Sequence, residues 1–303
     1  MTTGAPMSEQ PPFNPSRFTD ALTENCFAKS PEKREKLKAQ REKRVQWLRK
    51  KYPDDKSAQA LASKLEGCGP KHFCKSPACP ECAGAGQRLF ARIVGRFLKE
   101  GHSVSKNIVC VSIVPADGSM IPGSLSVNQH ARNVRRWKDK LGNASVEWFV
   151  GATDYSFNEH REGRYANHWS EHIYGLTATN DPDELKRNLR KQFPKTDVVP
   201  RPVKVQEWDG DKAALRYALK PNSWRRVATD EGERFDKKLG GKRACRETDK
   251  QRLRSKHKRE LLLHLDQIGM QGRLFLRWAQ FVHLGKSGPA IVERRPKGRS
   301  HEN

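Results

Sequence analysis

Four cysteines fall within fifteen residues, in the spacing Cys68-x5-Cys74-x4-Cys79-x2-Cys82, and no other feature limits the fold as strongly. Thiols this dense among polar residues (CGPKHFCKSPACPEC) do not read as a core segment. Cys26, Cys110 and Cys245 bring the total to seven. An odd count with one tight cluster argues for a metal site in a reducing compartment, not a disulfide framework. Cys79 and Cys82 bracket Pro80-Glu81, a knuckle that aims two sulfurs at one ion. Cys68 and Cys74 complete a tetrahedral set for Zn²⁺, with His72 as a substitute ligand. Four protein ligands imply a structural zinc, holding a small basic module (Lys71, His72, Lys75, Arg88) against the core or a nucleic acid.

The rest of the chain is strongly basic. Its 303 residues carry 59 Lys+Arg against 35 Asp+Glu, a formal charge of +24. That excess calls for a polyanion, and phosphate backbones are the usual one, because each neutralised phosphate releases a counterion. Anionic membrane is a weaker rival: no apolar run reaches spanning length and no signal-peptide core is present. A cytoplasmic protein acting on a nucleoid or plasmid is expected.

With 35% hydrophobic residues, one core with polar extensions fits better than two cores. Residues 1–66 read as a flexible tail followed by a basic helical region. Ser30 and Pro31 suit the cap and first turn of a helix reaching Tyr52. Ala58, Leu61, Ala62 and Leu65 then recur at helical spacing up to Gly67. Residues 67–100 hold the cysteine module and an amphipathic helix marked by Leu89, Ile93, Val94 and Phe97, closed by Gly101. Residues 101–224 read as βαββαβα. The expected strands are 107–115, 146–157, 168–179 and 203–208. The expected helices are 127–141, 181–193 and 211–220, the last stopping at Pro221. The fold class is therefore α+β: a central antiparallel sheet with helices packed on it, plus a zinc knuckle and helical extensions. Residues 225–303 read as a basic helical region, with apolar helical spacing from Leu261 to Val282 broken at Gly269 and Gly272, and a disordered last twenty residues.

Tyr217 and Lys220 share one face of the last core helix. A phenol can attack a phosphodiester where a neighbouring cation stabilises developing charge. Taken alone, Tyr-x-x-Lys is a weak signal, since an aromatic beside a solvated lysine is the commoner meaning. The strand HWSEHIYGLTAT adds weight, because His168, Ser170, His172 and Tyr174 alternate onto one face. Neighbours on that face lie about 6.6 Å apart, so His168 and His172, about 13 Å apart on a straight strand, share an ion only if the strand bends. His172 is thus the better ligand, and Asp154 on the preceding strand can add a carboxylate. Glu147 and Glu159 are poorer placed. Trp137, Trp208 and Trp224 could stack on bases, although core packing is the commoner fate of each.

A strand with a histidine motif followed by a helix with Tyr-x-x-Lys resembles the HUH endonucleases, specifically bacterial rolling-circle replication initiators. The cysteine stretch is similar to one that precedes the catalytic domain in a plasmid replication-protein group. The resemblance spans about residues 68 to 221. SEHIYGL aligns with the family's His–hydrophobic–His stretch, with His172 as the first histidine and Tyr174 where the second stands. A phenol is a poor ligand for a hard divalent ion. The family's first motif is matched only loosely, by CVSIVPADG. The resemblance implies an HUH/RRM-like core. It implies Tyr217 as nucleophile with Lys220 beside it, and a catalytic Mg²⁺ or Mn²⁺ held by His172, His168 and Asp154. The implied reaction is transesterification of locally single-stranded DNA to a 5′-phosphotyrosine and a free 3′ hydroxyl. Arg216, Arg225, Arg226, Lys71 and Lys75 are the expected DNA contacts, and a host helicase a further partner.

Two rivals stand beside this. One is a zinc-containing DNA-binding protein without catalysis, favoured by Tyr174. The other is a primase-like two-metal enzyme, which needs paired carboxylates. Asp181-Pro-Asp183 and Asp209-Gly-Asp211 are the only Asp-x-Asp pairs, and helix capping explains both.

Overall fold

Local chemistry sets the helices of the N-terminal third. In the computed structural model, which describes residues 17–28, 30–69, 72–99, 107–220, 223–236, 241–283 and 289–293, α1 spans Arg17–Asp20 and α2 Pro31–Lys51. Ser30 caps α2 by accepting from the Lys33 amide, with Pro31 in the first turn. Asp55 caps α3 (Lys56–Glu66) through the Ser57 and Ala58 amides, an interaction worth about 1 kcal/mol. α4 follows at Pro80–Lys99 and buries Leu89, Ile93, Val94 and Phe97 along one face.

The expected tail needs correction from residue 17 onward. Phe18, Leu22, Cys26 and Ala28 are buried, and Phe18 packs edge-on against Phe281. In the sequence, the surrounding prolines and polar residues hide this recurrence of an apolar residue about every four positions. The apolar cluster that takes in Phe18, Leu22 and Cys26 also holds Leu61, Cys82, Leu89, Val150, Leu219 and Ile291. All four expected segments therefore contribute to one core.

The sheet elements are β1 (Asn107–Ile113), β2 (Ser119–Met120), β3 (Phe149–His160), β4 (His168–Thr179) and β5 (Val203–Glu207), with α5 (Val127–Asn143), α6 (Pro182–Gln192) and α7 (Lys212–Tyr217) among and after them. The core is α+β in the expected element order, apart from the two-residue β2. Strand β3 starts at Phe149, not Val146, because the chain first turns through Ser145, which has φ 58°. Helix α7 ends at Tyr217, three residues short of Lys220; residues 218–220 form a turn.

The expectation of a helical C-terminal region is overturned. β6 (Arg225–Asp236) and β7 (Gly241–Gln251) form a hairpin. α8 (Ser255–Arg273) is a long helix, and β8 (Leu274–Arg277), β9 (Ala279–His283) and β10 (Pro289–Glu293) follow. The run from Leu261 to Val282 thus leaves the helix at Leu274, after a kink at Gly269 with φ 64°. The final twenty residues include β10, paired with β9, so they are not wholly disordered. The charge of the 225–259 block hides its strand alternation; Gly240-Gly241 is the readable hairpin signal.

The strand order is β5-β1-β4-β3-β6-β7, with β2 on β4 and β8 on β3. The sheet is mixed, not purely antiparallel: β3 and β6 run parallel from Phe157↔Arg225 to His160↔Ala228. At the centre, Gly151 faces Gly175 across β3 and β4. A side chain at either would meet the Phe149 ring at 2.8 or 2.5 Å, so only glycine fits there.

The two faces of the sheet differ. One face carries Val109, Val111, Ile113 and Ile173 beneath α5 and α6, and Tyr155, Phe157 and Trp169 beneath α8. The other carries Cys110, Val150, Ala152 and Leu176, packed with α4 and α7. On that second face β3 and β4 turn polar towards Asn158 and His168.

Candidate functional site

Register builds the polar patch. Asp154 pairs with His172, Ser156 with Ser170, Asn158 with His168 and Ala152 with Tyr174. Directly opposed residues of an antiparallel pair project to one side. Asp154, His172 and Tyr174 therefore share the face on which α7 lies.

Tyr217 is 48% exposed, and its ring meets Tyr174 edge-on, centroids 5.0 Å apart. Lys220 Nζ donates to Tyr217 Oη at 3.2 Å and pairs with Asp154 Oδ2 at 2.5 Å. Sequence reasoning missed Arg273, which ends α8, is buried, and lies 3.7 Å from Asp154 Oδ1. Arg273 also donates to the carbonyls of Thr153 and Lys220 at 3.2 Å, tying the Tyr217 turn to β3. Only the tertiary fold brings α8 here, so sequence spacing carries no sign of it.

The expected catalytic metal ligands do not form one set. His172 Nε2 is hydrogen-bonded with Ser156 Oγ at 2.9 Å, and His168 Nδ1 with the Ala166 carbonyl at 2.9 Å. Asp154 is engaged by Lys220. His168, His172 and Asp154 are not among the groups of ligand atoms that approach one another closely enough for an ion among the described residues. β4 stays paired from His168 to Thr179 and does not bend His168 towards His172. Burial, reinforced by Arg226, Lys220 and His168, holds His172 well below the usual imidazole range. Burial and Cys110 push the Tyr174 phenol up, so it stays a neutral hydroxyl. These residues do not fit an Mg²⁺ or Mn²⁺ site. Of the poorer carboxylates, Glu159 is paired with Arg225 and Arg254.

A basic groove of about 450 Å³ runs between α4 and α7, lined by Arg88, Arg92, Arg96, Lys99 and Arg216. The residue after Arg216 is Tyr217. Burial and the facing Arg216 lower the Arg88 guanidinium, whose Nη2 is buried without a hydrogen-bond partner among the described residues. Two guanidiniums brought together in this way favour an anion between them. The signal is readable in the sequence: Arg88, Arg92 and Arg96 recur every four residues on a helix whose other face is apolar.

The remaining expected contacts divide. Arg216 is exposed in the groove and Arg226 is half-buried beside the polar patch. Arg225 is committed internally to Glu159, at 2.6 Å, and to Gln251. Lys75 pairs with Asp20 at 3.0 Å, and Lys71 lies outside the described residues. Trp137 is fully buried, donating to Asp117, and cannot stack on a base. Trp208 is partly buried and donates to the Asp211 carbonyl, whereas Trp224 is 42% exposed beside Arg252 and Lys258. The paired aspartates are caps: Asp181 accepts from the Asp183 and Glu184 amides, and Asp211 from Ala213.

The cysteine cluster assembles as expected. Sulfur separations are 3.5 Å for Cys68–Cys82 and 3.7 Å for both Cys74–Cys82 and Cys68–Cys79. Tetrahedral zinc with Zn–S bonds near 2.3 Å puts sulfurs about 3.8 Å apart, so the cluster is compatible with zinc. Close thiols pull Cys68 towards the thiolate. Arg41 and Arg44 from α2 feel the charge of Cys79 and so oppose the charge a tetrathiolate zinc would carry. Arg41 also pairs with Glu81 at 2.5 Å, and Arg44 donates to the Ala78 carbonyl. His72 is exposed and outside the cluster. Among the described residues no helix is long and apolar enough to cross a membrane.

No protein-family model, curated protein or solved structure matches this chain.

Proposed function

We propose that this protein binds single-stranded DNA along the α4–α7 groove and cleaves it with Tyr217, as rolling-circle replication initiators of the HUH type do, its cysteine cluster holding a structural zinc. One observation carries the reading. Tyr217, exposed and hydrogen-bonded by Lys220, directly follows Arg216, one of the five basic side chains that line the groove. A strand lying in that groove gains phosphate contacts without base readout. The strand-then-helix order of the histidine strand and the tyrosine supports an HUH-like core.

The chemistry falls to the chain's own residues. The Lys220 ammonium lies beside the phenol oxygen, where it stabilises developing phenolate and phosphorane charge. Asp154 and Arg273 fix that ammonium in place. The Tyr217 oxygen bonds to phosphorus and the P–O3′ bond breaks. The phenol loses its proton, the departing 3′ oxygen gains one, and the 5′ phosphate stays on Tyr217.

The second reading, zinc-dependent DNA binding without cleavage, is favoured by Tyr174 and by the engagement of Asp154 with Lys220. The test uses labelled single-stranded circular and linear DNA with wild-type protein and Tyr217→Phe. Cleavage by the wild type that disappears in Tyr217→Phe, with binding retained, supports cleavage. Equal binding by both without cleavage supports the second reading.

A further inference from the structure

At the far end of β3, His160 is enclosed. Its side chain has no exposed surface, and among the described residues neither ring nitrogen has a hydrogen-bond partner. Two carboxylates nevertheless face it. Glu162 Oε2 is 2.9 Å from Nδ1, and Asp230 Oδ1 is 3.5 Å from Nε2. The other oxygen of each carboxylate is engaged elsewhere: Glu162 Oε1 accepts from Thr229 at 2.9 Å, and Asp230 Oδ2 from Arg164 at 3.4 Å. One ligand atom from each of His160, Glu162 and Asp230 lies within 4.8 Å of the other two.

We infer that His160, Glu162 and Asp230 form a divalent transition-metal site, distinct from the cysteine cluster and from the Tyr217 region. Three features support it. Neighbouring ligands of an octahedral ion with bonds of about 2.1 Å stand roughly 3 Å apart, as Nδ1 and Glu162 do. An imidazole with two carboxylates is a ligand set for Mn²⁺, Fe²⁺ or Zn²⁺, and too nitrogenous for Ca²⁺. A buried imidazole close to two acceptors yet hydrogen-bonded to neither is costly unless something else takes its lone pair. Thr229 and Arg164 would orient the carboxylates as outer partners of ligands usually do. Asp230 comes from β6, which holds β3 through only four parallel residue pairs. The ion would fasten the C-terminal hairpin to the central sheet.

The experiment titrates full-length, zinc-loaded protein with Mn²⁺, reading free Mn²⁺ by electron paramagnetic resonance. Glu162→Gln and Asp230→Asn alter half-exposed side chains, and circular dichroism checks that both remain folded. His172→Ala serves as the control for the Tyr217 region. The expected result is one Mn²⁺ bound by the wild type and by His172→Ala. Each carboxylate variant should bind about tenfold more weakly or worse, and Mn²⁺ should raise the melting temperature of the wild type but not of Asp230→Asn. Wild-type protein that takes up no Mn²⁺, or carboxylate variants that bind it as the wild type does, would overturn the inference. So would loss of binding in His172→Ala alone.

Discussion

The ammonium of Lys220 lies 2.5 Å from the carboxylate of Asp154, a cation from the turn after α7 held by the centre of β3. Both side chains are largely withdrawn from water, so the pair is worth more in position than in stability. It sets Lys220 at 3.2 Å from the Tyr217 hydroxyl.

Lys220→Met should therefore cost about 2–3 kcal/mol of stability, since among the described residues Asp154 keeps only Arg273 as an ion-pair partner. It should also slow cleavage roughly 10²-fold or more, the usual effect of removing a preorganised donor. Adding Asp154→Asn should recover little of the stability, because it leaves the buried Arg273 guanidinium without that carboxylate, and none of the rate. A double-mutant cycle of chemical denaturation and cleavage rate checks both.

Salt dependence probes the groove. Arg92 and Lys99 are exposed on its wall. Arg92→Ala with Lys99→Ala should flatten the slope of log K against log salt on single-stranded DNA, by about 0.7 for each phosphate that is no longer neutralised. Fluorescence anisotropy across a salt series measures this, and an unchanged slope would remove the groove from the binding path.

Acid should destabilise the protein through His264. Burial, with the neighbouring His130, lowers its pKa to about 4. Its unfolded value is higher, so the unfolded chain binds more protons between the two. The stability contributed by neutral His264 is full above about pH 6.5 and falls away down to about pH 4, by up to about 3 kcal/mol. His172 acts in the same direction. His130 opposes them. Burial alone would lower it, but the Glu171 carboxylate at 2.5 Å outweighs that and raises it. Its contribution is full below about pH 6.5 and is lost as pH climbs through the raised value. Glu171→Gln should therefore weaken the protein most at acid to neutral pH. Urea melts at about pH 4.5, 6 and 8 separate the two effects.

Zinc removal should unfasten the N-terminal helices. Cys68, Cys79 and Cys82 sit inside the apolar cluster that joins α3 and α4 to the sheet. Cys68→Ser or a strong chelator should release one zinc per chain and cost on the order of several kcal/mol, read by a zinc indicator and thermal melting.

Much of the fold is legible in the sequence. Ser30, Asp181 and Asp211 announce helix starts, and the alternation around His172 announces β4 and the side it presents. The cysteine spacing announces its cluster. The β6–β7 hairpin is hidden because charged residues dominate both strands, leaving no apolar alternation to read. Arg273 and the His160 cluster are hidden for another reason: each joins segments far apart in the chain, which no local spacing can bring together. The histidine strand reads correctly as a strand, but its metal set does not, since β4 runs on without the bend that His168 needs.

The most direct measurement is mass spectrometry of peptides after incubation with single-stranded DNA. The expected result is a nucleotide-bearing peptide containing Tyr217, linked through a 5′ phosphate, and absent from Tyr217→Phe. Cleavage without that adduct, or an adduct on another residue, would contradict tyrosine transesterification at this site.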